Sequence, residues 1–156
     1  AAELSPTELV REINKNFTAF DAIIEKHGLE KIKTIGDAYL AVCGLPIISD
    51  DHAVKMIQAA IEIRNYMISQ TKPLFQIRIG VHSGPVIAGI VGVKKYAYDI
   101  WGDTVNTAAR MEQNSESGKI NVSGVTYALT KDKFNFEFRG KIAAKNKGEI
   151  EMYFIS

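Results

Sequence analysis

The 156-residue chain has a single cysteine, Cys43, and only three histidines. One cysteine cannot close an intramolecular disulfide, and no Cys-rich metal pattern is present. This usage fits a reducing compartment, so we expect a cytoplasmic location. Cys43 lies in an apolar run, which favours a packed thiol over a reactive one. His27, His52 and His82 show no metal-ligand spacing, and we expect structural or surface roles for them.

The chain also has little net charge and no long apolar run. Its 19 basic and 18 acidic residues give a formal charge of +1, which argues against a nucleic-acid-binding protein but is compatible with a local basic pocket. No stretch is long enough to span a membrane, and no signal peptide is visible. If a longer parent chain is attached to a membrane through another segment, we still expect this domain to lie in the cytosol. With 46% hydrophobic residues, residues 1–156 suit one compact domain.

Two long helices are predicted in the first half of the chain. Ser5 can cap the first helix, Pro6 suits its first position, and Glu8 completes a capping box. Apolar residues then recur at helical spacing as far as Gly28, a typical stop. Asp50 or Asp51 can cap the second helix, whose expected inner face is Ala53, Met56, Ile57, Ala60, Ile61 and Met67.

The remaining pattern predicts strands with shorter helices between them. Strands at 31–35 and 38–43 flank the turn Gly36-Asp37, and a strand at 75–81 alternates apolar and polar residues. Residues 84–92 indicate a turn followed by a buried strand. Further elements are an extended segment at 98–101, a helix from Gly102-Asp103 to about 113, strands at 119–123, 134–139 and 150–155, and a short helix near 125–129. This order predicts an α+β sandwich with helices packed on a sheet.

Four segments carry a resemblance to a known family. They are EKIKTIGDAY at 30–39, IRIGVHSG at 77–84, YDIWGDTVNTAARM at 98–111, and KNKG at 145–148 shortly before MYF at 152–154. In this order they resemble the catalytic domain of class III nucleotide cyclases over essentially the whole chain. The resemblance implies a ferredoxin-like βαββαβ core that forms a head-to-tail homodimer, with active sites at the interface. It also implies attack of a ribose 3′-oxygen on the α-phosphorus, assisted by two Mg²⁺ or Mn²⁺ ions.

Three residues match positions to which the family assigns the chemistry. Asp37 matches one of two metal-binding aspartates, and a turn tip presents a carboxylate to a hard cation without burying it. Asn106 and Arg110 lie four apart on one helix face and match the catalytic pair. The resemblance implies that Asn106 orients the ribose and that Arg110 stabilises charge on the α-phosphate, for which a guanidinium fork is suited.

The family positions that read the purine are occupied by Lys33 and Asp99. Adenine offers an N6 amino donor to a carboxylate and an N1 acceptor to an ammonium, whereas guanine reverses that edge. A mismatch leaves buried polar groups unsatisfied at about 1–3 kcal/mol each. The two residues together predict an adenylyl cyclase that converts ATP to cyclic AMP and pyrophosphate. The enzyme alternative is a guanylyl cyclase.

Further family positions suggest phosphate contacts. Lys145 matches a phosphate-binding lysine, with Asn146 where the family often has glycine. Lys94, or its neighbour Lys95, is expected near the terminal phosphates. Gly84, Gly89 and Gly92 suggest close backbone approach, either to a partner chain or to another strand.

The chain departs from the family pattern at its beginning. The family domain starts with a central strand that carries the other metal aspartate, and no aspartate here has that context. Two hypotheses are a longer natural chain, which we favour, and abnormal pairing by swapped elements. The missing strand motivates both, because its removal would leave unpaired strand edges inside a hydrophobic layer, and we predict that this exact chain is weak or inactive. A third reading is a nucleotide-binding or dimerising pseudo-cyclase module. We also expect regulatory domains in a longer parent chain.

Overall fold

A computed structural model of the chain describes residues 4–70, 76–144 and 148–156. Over these ranges the chain forms four helices and eight strands. They are α1 Pro6–Lys26, β1 Glu30–Ile35, β2 Ala38–Val42, α2 His52–Ile68, β3 Ile79–Val81, β4 Ile87–Val91, β5 Ala97–Trp101, α3 Asp103–Gln113, β6 Ile120–Ser123, α4 Gly124–Thr130, β7 Phe136–Ala144 and β8 Gly148–Ile155.

The strands form one four-stranded sheet and two separate hairpins. The sheet has the order β3-β6-β8-β7, in which β3 and β6 run parallel and the other pairs run antiparallel. The hairpins are β1–β2 and β4–β5. The predicted mixed α+β architecture is confirmed.

Local sequence signals account for most element ends. The Ser5 hydroxyl accepts a hydrogen bond of 3.1 Å from the Glu8 backbone N–H, as expected for an N-cap. Gly28 has φ +74° just after α1, a conformation that glycine adopts without strain. Asp51 stands at the N-cap position of α2, but its side chain makes no capping bond. Its carboxylate instead accepts from the Ser49 hydroxyl at 2.7 Å and pairs with Lys55, which corrects the predicted cap.

The core is built from faces of α1 and α2 that were predicted to be apolar. One cluster joins Ile57 and Ala60 of α2 to sheet residues such as Val122, all almost fully buried. A second cluster places Phe17 and Phe20 of α1 against α2 and the β1–β2 hairpin. The long helices therefore connect the hairpin to the main sheet.

Three strand predictions need correction. Residues 84–92 were predicted to hold a buried strand, but Ile87 and Ile90 of β4 are 68% and 72% exposed. The reason is that β4 pairs only with β5 among the described residues, and the hairpin has no layer of the same chain over these side chains. β3 begins at Ile79, and Phe75, where that strand was predicted to begin, lies outside the described residues. β7 runs to Ala144, because its pairing with β8 continues past the predicted end.

The edges of β2 and β3 face a common groove of about 330 Å³. Within the described part of the chain, β2 pairs only with β1, and β3 only with β6. The groove is lined by apolar side chains from both edges, including Leu40 and Val81. The unpaired strand edges expected from the sequence are therefore observed. Across the described ranges, no helix is both long and apolar enough to cross a membrane.

Gly80 lies where β3 meets α3, so a side chain at this position should destabilise the fold. An added Cβ would overlap the backbone nitrogen of Glu112 and come within 2.6 Å of its Cα, so a side chain cannot be accommodated without moving the helix. We expect Gly80→Ala to lower the free energy of unfolding by about 1–3 kcal/mol or more. Chemical denaturation monitored by circular dichroism measures this loss. The matched control is Gly89→Ala, whose Cβ would meet the Trp101 ring at an ordinary 3.4 Å. Equal effects of the two changes would contradict the prediction.

Candidate functional site

The structure brings together Lys33 and Asp99, which are 66 positions apart in the sequence. The Lys33 Nζ lies 2.9 Å from an Asp99 carboxylate oxygen. A shift of register in β1 contributes to this contact, since Lys31 pairs with Ala41 whereas Lys33 pairs with Leu40. Such an extra residue re-aims the side chains that follow it. The two lysines accordingly point to different partners, and Lys31 binds Asp21 of α1 instead.

Asp99 is the buried member of this ion pair. Its side chain is 12% exposed, whereas the Lys33 side chain is 41% exposed. Its other carboxylate oxygen accepts a hydrogen bond of 2.8 Å from the Ile100 backbone N–H. The hydrogen bond from Lys33 and then that from Ile100 hold the pKa of Asp99 below its usual range. The carboxylate is therefore ionised at neutral pH and fixed in orientation, while the ammonium stays accessible to a ligand.

Asp37 lies at the exposed tip of the β1–β2 hairpin, as predicted. The turn is allowed by Gly36, whose φ is +58°. No group of three His, Cys, Asp or Glu side chains that could hold a metal occurs in the described ranges. Asp37 thus offers one carboxylate. That suits Mg²⁺ only where a substrate phosphate supplies further oxygen ligands, a common arrangement for this ion.

Asn106 and Arg110 lie on α3, one turn apart. Asn106 is exposed and Arg110 is half-buried. The Arg110 Nη2 donates a hydrogen bond of 2.6 Å to the backbone carbonyl of Ala143 near the end of β7. Its Nε is buried and has no hydrogen-bond partner among the described residues. A buried cationic N–H without an acceptor suits an anionic ligand.

The remaining predicted ligand residues are less constrained. Lys94 and Lys95 lie in the exposed turn between β4 and β5. Lys145 lies outside the described residues. In the described chain, contacts join Lys33 to Asp99, but no hydrogen bond or ion pair links this pair to Asp37, Asn106 or Arg110. Sequence reasoning missed the Ala143 carbonyl as a partner of Arg110, because a backbone acceptor leaves no trace in residue identity.

The histidines and Cys43 contact residues outside this group. His27 Nε2 lies 3.0 Å from Glu62, His52 Nδ1 lies 3.1 Å from the Ser49 carbonyl, and His82 Nδ1 lies 2.6 Å from the Ser123 hydroxyl. Burial raises the pKa of the half-buried Cys43 thiol, which favours its unreactive form. These contacts support the structural roles expected for the four residues.

Two of the three glycines expected at close approaches meet neighbouring atoms directly. A Cβ on Gly84 would come within 2.6 Å of the Thr104 hydroxyl at the start of α3. One on Gly92 would overlap the Lys95 carbonyl within the β4–β5 turn. The approach at Gly84 is therefore to a helix, and that at Gly92 is within its own turn. Neither is to another strand.

Comparison with known proteins extends over the whole chain. The family model described as the adenylate and guanylate cyclase catalytic domain matches residues 1–156. An adenylate cyclase of Mycobacterium tuberculosis is 37% identical over 99% of the chain, which spans 36% of that protein. The beta-2 subunit of soluble guanylate cyclase from Rattus norvegicus is 38% identical over 99% of the chain, which spans 23% of it. The solved guanylate cyclase domain of RhGC from Catenaria anguillulae, in complex with GTP, has a TM-score of 0.90 and 36% identity, and the match covers 98% of this chain and 86% of that one.

The Lys33–Asp99 pair predicts a change in titration. In Lys33→Met the pKa of Asp99 should rise toward that of an ordinary aspartate, though not completely, because the Ile100 N–H bond remains. Because the pKa of Asp99 is lower in the folded than in the unfolded state, the ionised carboxylate stabilises the fold at pH values above the ordinary aspartate pKa. This stabilisation is lost as the pH falls through the folded-state pKa. The Lys33→Met variant should therefore lose stability at neutral pH and differ little from the parent in strong acid. Carboxyl NMR titration measures the pKa directly.

The matched control for this titration is Lys31→Met. Lys31 is an exposed lysine of the same strand, and it pairs with Asp21. Its substitution should leave the Asp99 titration unchanged. An Asp99 pKa that does not move in Lys33→Met would contradict the assignment.

Proposed function

Because the chain belongs to the adenylate and guanylate cyclase catalytic domain family, we propose that it is an adenylate cyclase, which converts ATP to 3′,5′-cyclic AMP and pyrophosphate. The carrying observation is the Lys33–Asp99 ion pair, with the carboxylate fixed and the ammonium accessible. The relatives include cyclases for either nucleotide, so the choice of base depends on these two side chains.

The polarity of the pair matches the Watson–Crick edge of adenine. The Asp99 carboxylate is an acceptor for the N6 amino group, and the Lys33 ammonium is a donor for N1. Guanine presents a carbonyl and an N–H at those places, so each side chain would meet a group of its own kind. The cost of about 1–3 kcal/mol for each unsatisfied group favours ATP by orders of magnitude.

Asn106 and Arg110 are the proposed catalytic residues. Their spacing on α3 lets Asn106 hold the ribose while the Arg110 guanidinium lies toward the α-phosphate. The unpartnered Nε of Arg110 supplies a donor that is already desolvated, and a preorganised donor is worth most where charge develops in the transition state. Lys94 is the proposed contact to the terminal phosphates, and its exposed turn leaves it able to reach them. Lys145 is proposed for the same task from the family resemblance alone.

Mg²⁺ or Mn²⁺ is the proposed cofactor, and Asp37 would hold it together with the triphosphate. Such an ion neutralises phosphate charge and lowers the pKa of the attacking ribose hydroxyl. The exposed position of Asp37 at a turn tip fits an ion that is shared with a mobile ligand. We propose a site for two ions, for which Asp37 is the one carboxylate identified in this chain.

A head-to-tail homodimer is the proposed assembly. Several large apolar side chains of the β4–β5 hairpin are open to solvent, with Val93 at 89% and Tyr96 at 75% exposure. Large exposed apolar side chains grouped on one hairpin are typical of a surface that another protein covers. Since the chain spans about a third or less of the curated relatives it matches, regulatory domains in a longer parent chain are also proposed.

Turnover of both nucleotides tests the base assignment. In a chain extended by the family's first strand with its metal aspartate, and with Mn²⁺ present, we expect cyclic AMP from ATP and much slower formation of cyclic GMP. Lys33→Glu combined with Asp99→Cys should move the ATP-to-GTP ratio of kcat/KM toward GTP by at least about 30-fold, because two mismatches are removed. Lys31→Glu, at an exposed lysine of the same strand, is the control. An unchanged preference in the double variant would refute the base-reading role.

The same assay separates the alternatives. Faster cyclic GMP formation by the unchanged protein would select the guanylate cyclase. Measured ATP binding without any turnover, in the chain extended by the family's first strand, would select the nucleotide-binding or dimerising pseudo-cyclase module.

Removal of the Arg110 guanidinium tests the transition-state role. We expect Arg110→Ala to lower kcat by about 10²–10³-fold, with a smaller change in KM. The matched control is Arg78→Ala, because Arg78 is an exposed arginine that pairs with Glu112 of the same helix. Comparable losses in the two variants would argue that α3 is merely destabilised.

A further inference from the structure

The end of α3 is held by a row of residues that crosses the main sheet. Gly80 of β3 is the register partner of Asn121 in β6, and Asn121 is that of Phe154 in β8. Gly80 has no side chain, so the backbone of Met111 and Glu112 lies directly against it. Asn121 is completely buried next to this contact, and its Nδ2 donates a hydrogen bond of 2.9 Å to the Met111 carbonyl.

Arg139 completes this row from β7. Its Nη1 donates to the Asn121 side-chain oxygen at 3.0 Å and to the Asn114 carbonyl at 2.6 Å. Its guanidinium lies 3.8 Å from the centre of the Phe154 ring, a cation–π distance. The planar group is therefore fixed in two directions at once.

A β-bulge aims Arg139 at the helix. Phe138 pairs with Tyr153 and Gly140 with Met152, so Arg139 is the additional residue on β7. Gly140 has φ +104°, which only glycine adopts readily. Bulges of this kind redirect a side chain that regular alternation would place elsewhere.

These contacts converge on Arg110. Asn114, whose carbonyl Arg139 binds, caps α3 and donates from its side chain to the Arg110 carbonyl at 2.9 Å. Met111, which Asn121 binds, is the next residue along the chain. At the other end of its side chain, Arg110 donates to the Ala143 carbonyl, on the same strand as Arg139. β7 thus contacts both the backbone around Arg110 and its guanidinium.

We propose that Arg139, acting with Asn121, is a positioning residue that sets the rotation and axial position of α3 and so places Arg110 against the α-phosphate. The inference rests on the proposed cyclase function. A helix cap alone requires donors to the last free carbonyls and benefits from a nearby positive charge, but it requires no particular orientation of a guanidinium. Here the bulge, the guanidinium stacked on Phe154 and the two hydrogen bonds from Nη1 together fix the orientation of the Arg139 side chain.

Kinetics of Arg139 variants test this role. In the extended chain used for the turnover assay, we expect Arg139→Met to lower kcat for Mn²⁺-ATP by roughly 10–100-fold while KM changes less than about 3-fold, because small misplacements of a catalytic group have effects of that size. Arg139→Lys keeps the charge and the aliphatic stem, so it should fold and recover part of the loss. Arg78→Met is the matched control, since it removes an exposed arginine contact to α3 through the Glu112 side chain, and it should leave kcat unchanged.

A double-mutant cycle with Arg110→Ala separates positioning from a general loss of structure. If Arg139 acts through Arg110, then Arg139→Met or Arg139→Lys should lower kcat little further once Arg110 is alanine. Equal fold-losses with and without Arg110 would overturn the proposal.

The NMR signal of the Arg110 Nε–H provides a readout that does not require turnover. We expect it to shift in Arg139→Lys and to remain in place in Arg78→Met. An unmoved signal in Arg139→Lys overturns the positioning role even in an active enzyme. Absence of turnover of either nucleotide in the chain extended by the family's first strand would instead overturn the proposed function, and the NMR comparison would still decide the role of Arg139.

Discussion

The close contact between the backbones of β3 and α3 is the constraint on which the site depends. Gly80 lets Met111 and Glu112 lie against the sheet without a side chain between them. The helix that follows β5 is therefore fixed at its far end, while its start is fixed by Gly102 and by Thr104 packed on Gly84. With both ends held, Asn106 and Arg110 have a defined place relative to Asp99, which stands four residues before α3.

The charged groups of the candidate site differ in burial, because one chain covers only part of the site. Asp99 can be buried because Lys33 and the Ile100 N–H compensate its charge. Arg110 reaches only one carbonyl with its Nη2, and Asp37 and Asn106 are exposed. The apolar residues at the β4–β5 hairpin are exposed in the same way. Fixed charges, an unsatisfied donor and an adjacent apolar hairpin on one exposed surface are what a site completed by a second copy would need, which is why we propose a dimer rather than a cleft within one chain.

Much of the fold could be predicted from the sequence because its signals are local. Ser5 and Gly28 delimit α1, Gly36-Asp37 forms the hairpin turn, and Gly102 precedes α3, as expected. The family resemblance predicted that Lys33 and Asp99 act on the same purine. Their spacing in the sequence did not predict that they form an ion pair. The exposure of β4 was missed because an apolar strand looks the same whether its own chain or another covers it. Of the two predicted caps of α2, Asp51 does occupy the N-cap position, but its side chain makes no capping bond because Ser49 and Lys55 bind its carboxylate.

Both bulges show why the site itself was harder to predict than the elements that carry it. In a regular strand Lys31 and Lys33 would share a face, yet the extra residue in β1 sends them to Asp21 and Asp99. The extra residue in β7 is Arg139 itself, which reaches the end of α3 rather than the face its position implies. The two-residue periodicity of a strand does not predict an inserted residue. Such a residue interrupts the strand pairing, and only tertiary contacts elsewhere can compensate for that loss. In this chain those contacts lead in one case to the proposed base-reading pair and in the other to the backbone that carries Arg110, so the irregular positions of β1 and β7 are the ones that place the proposed site residues.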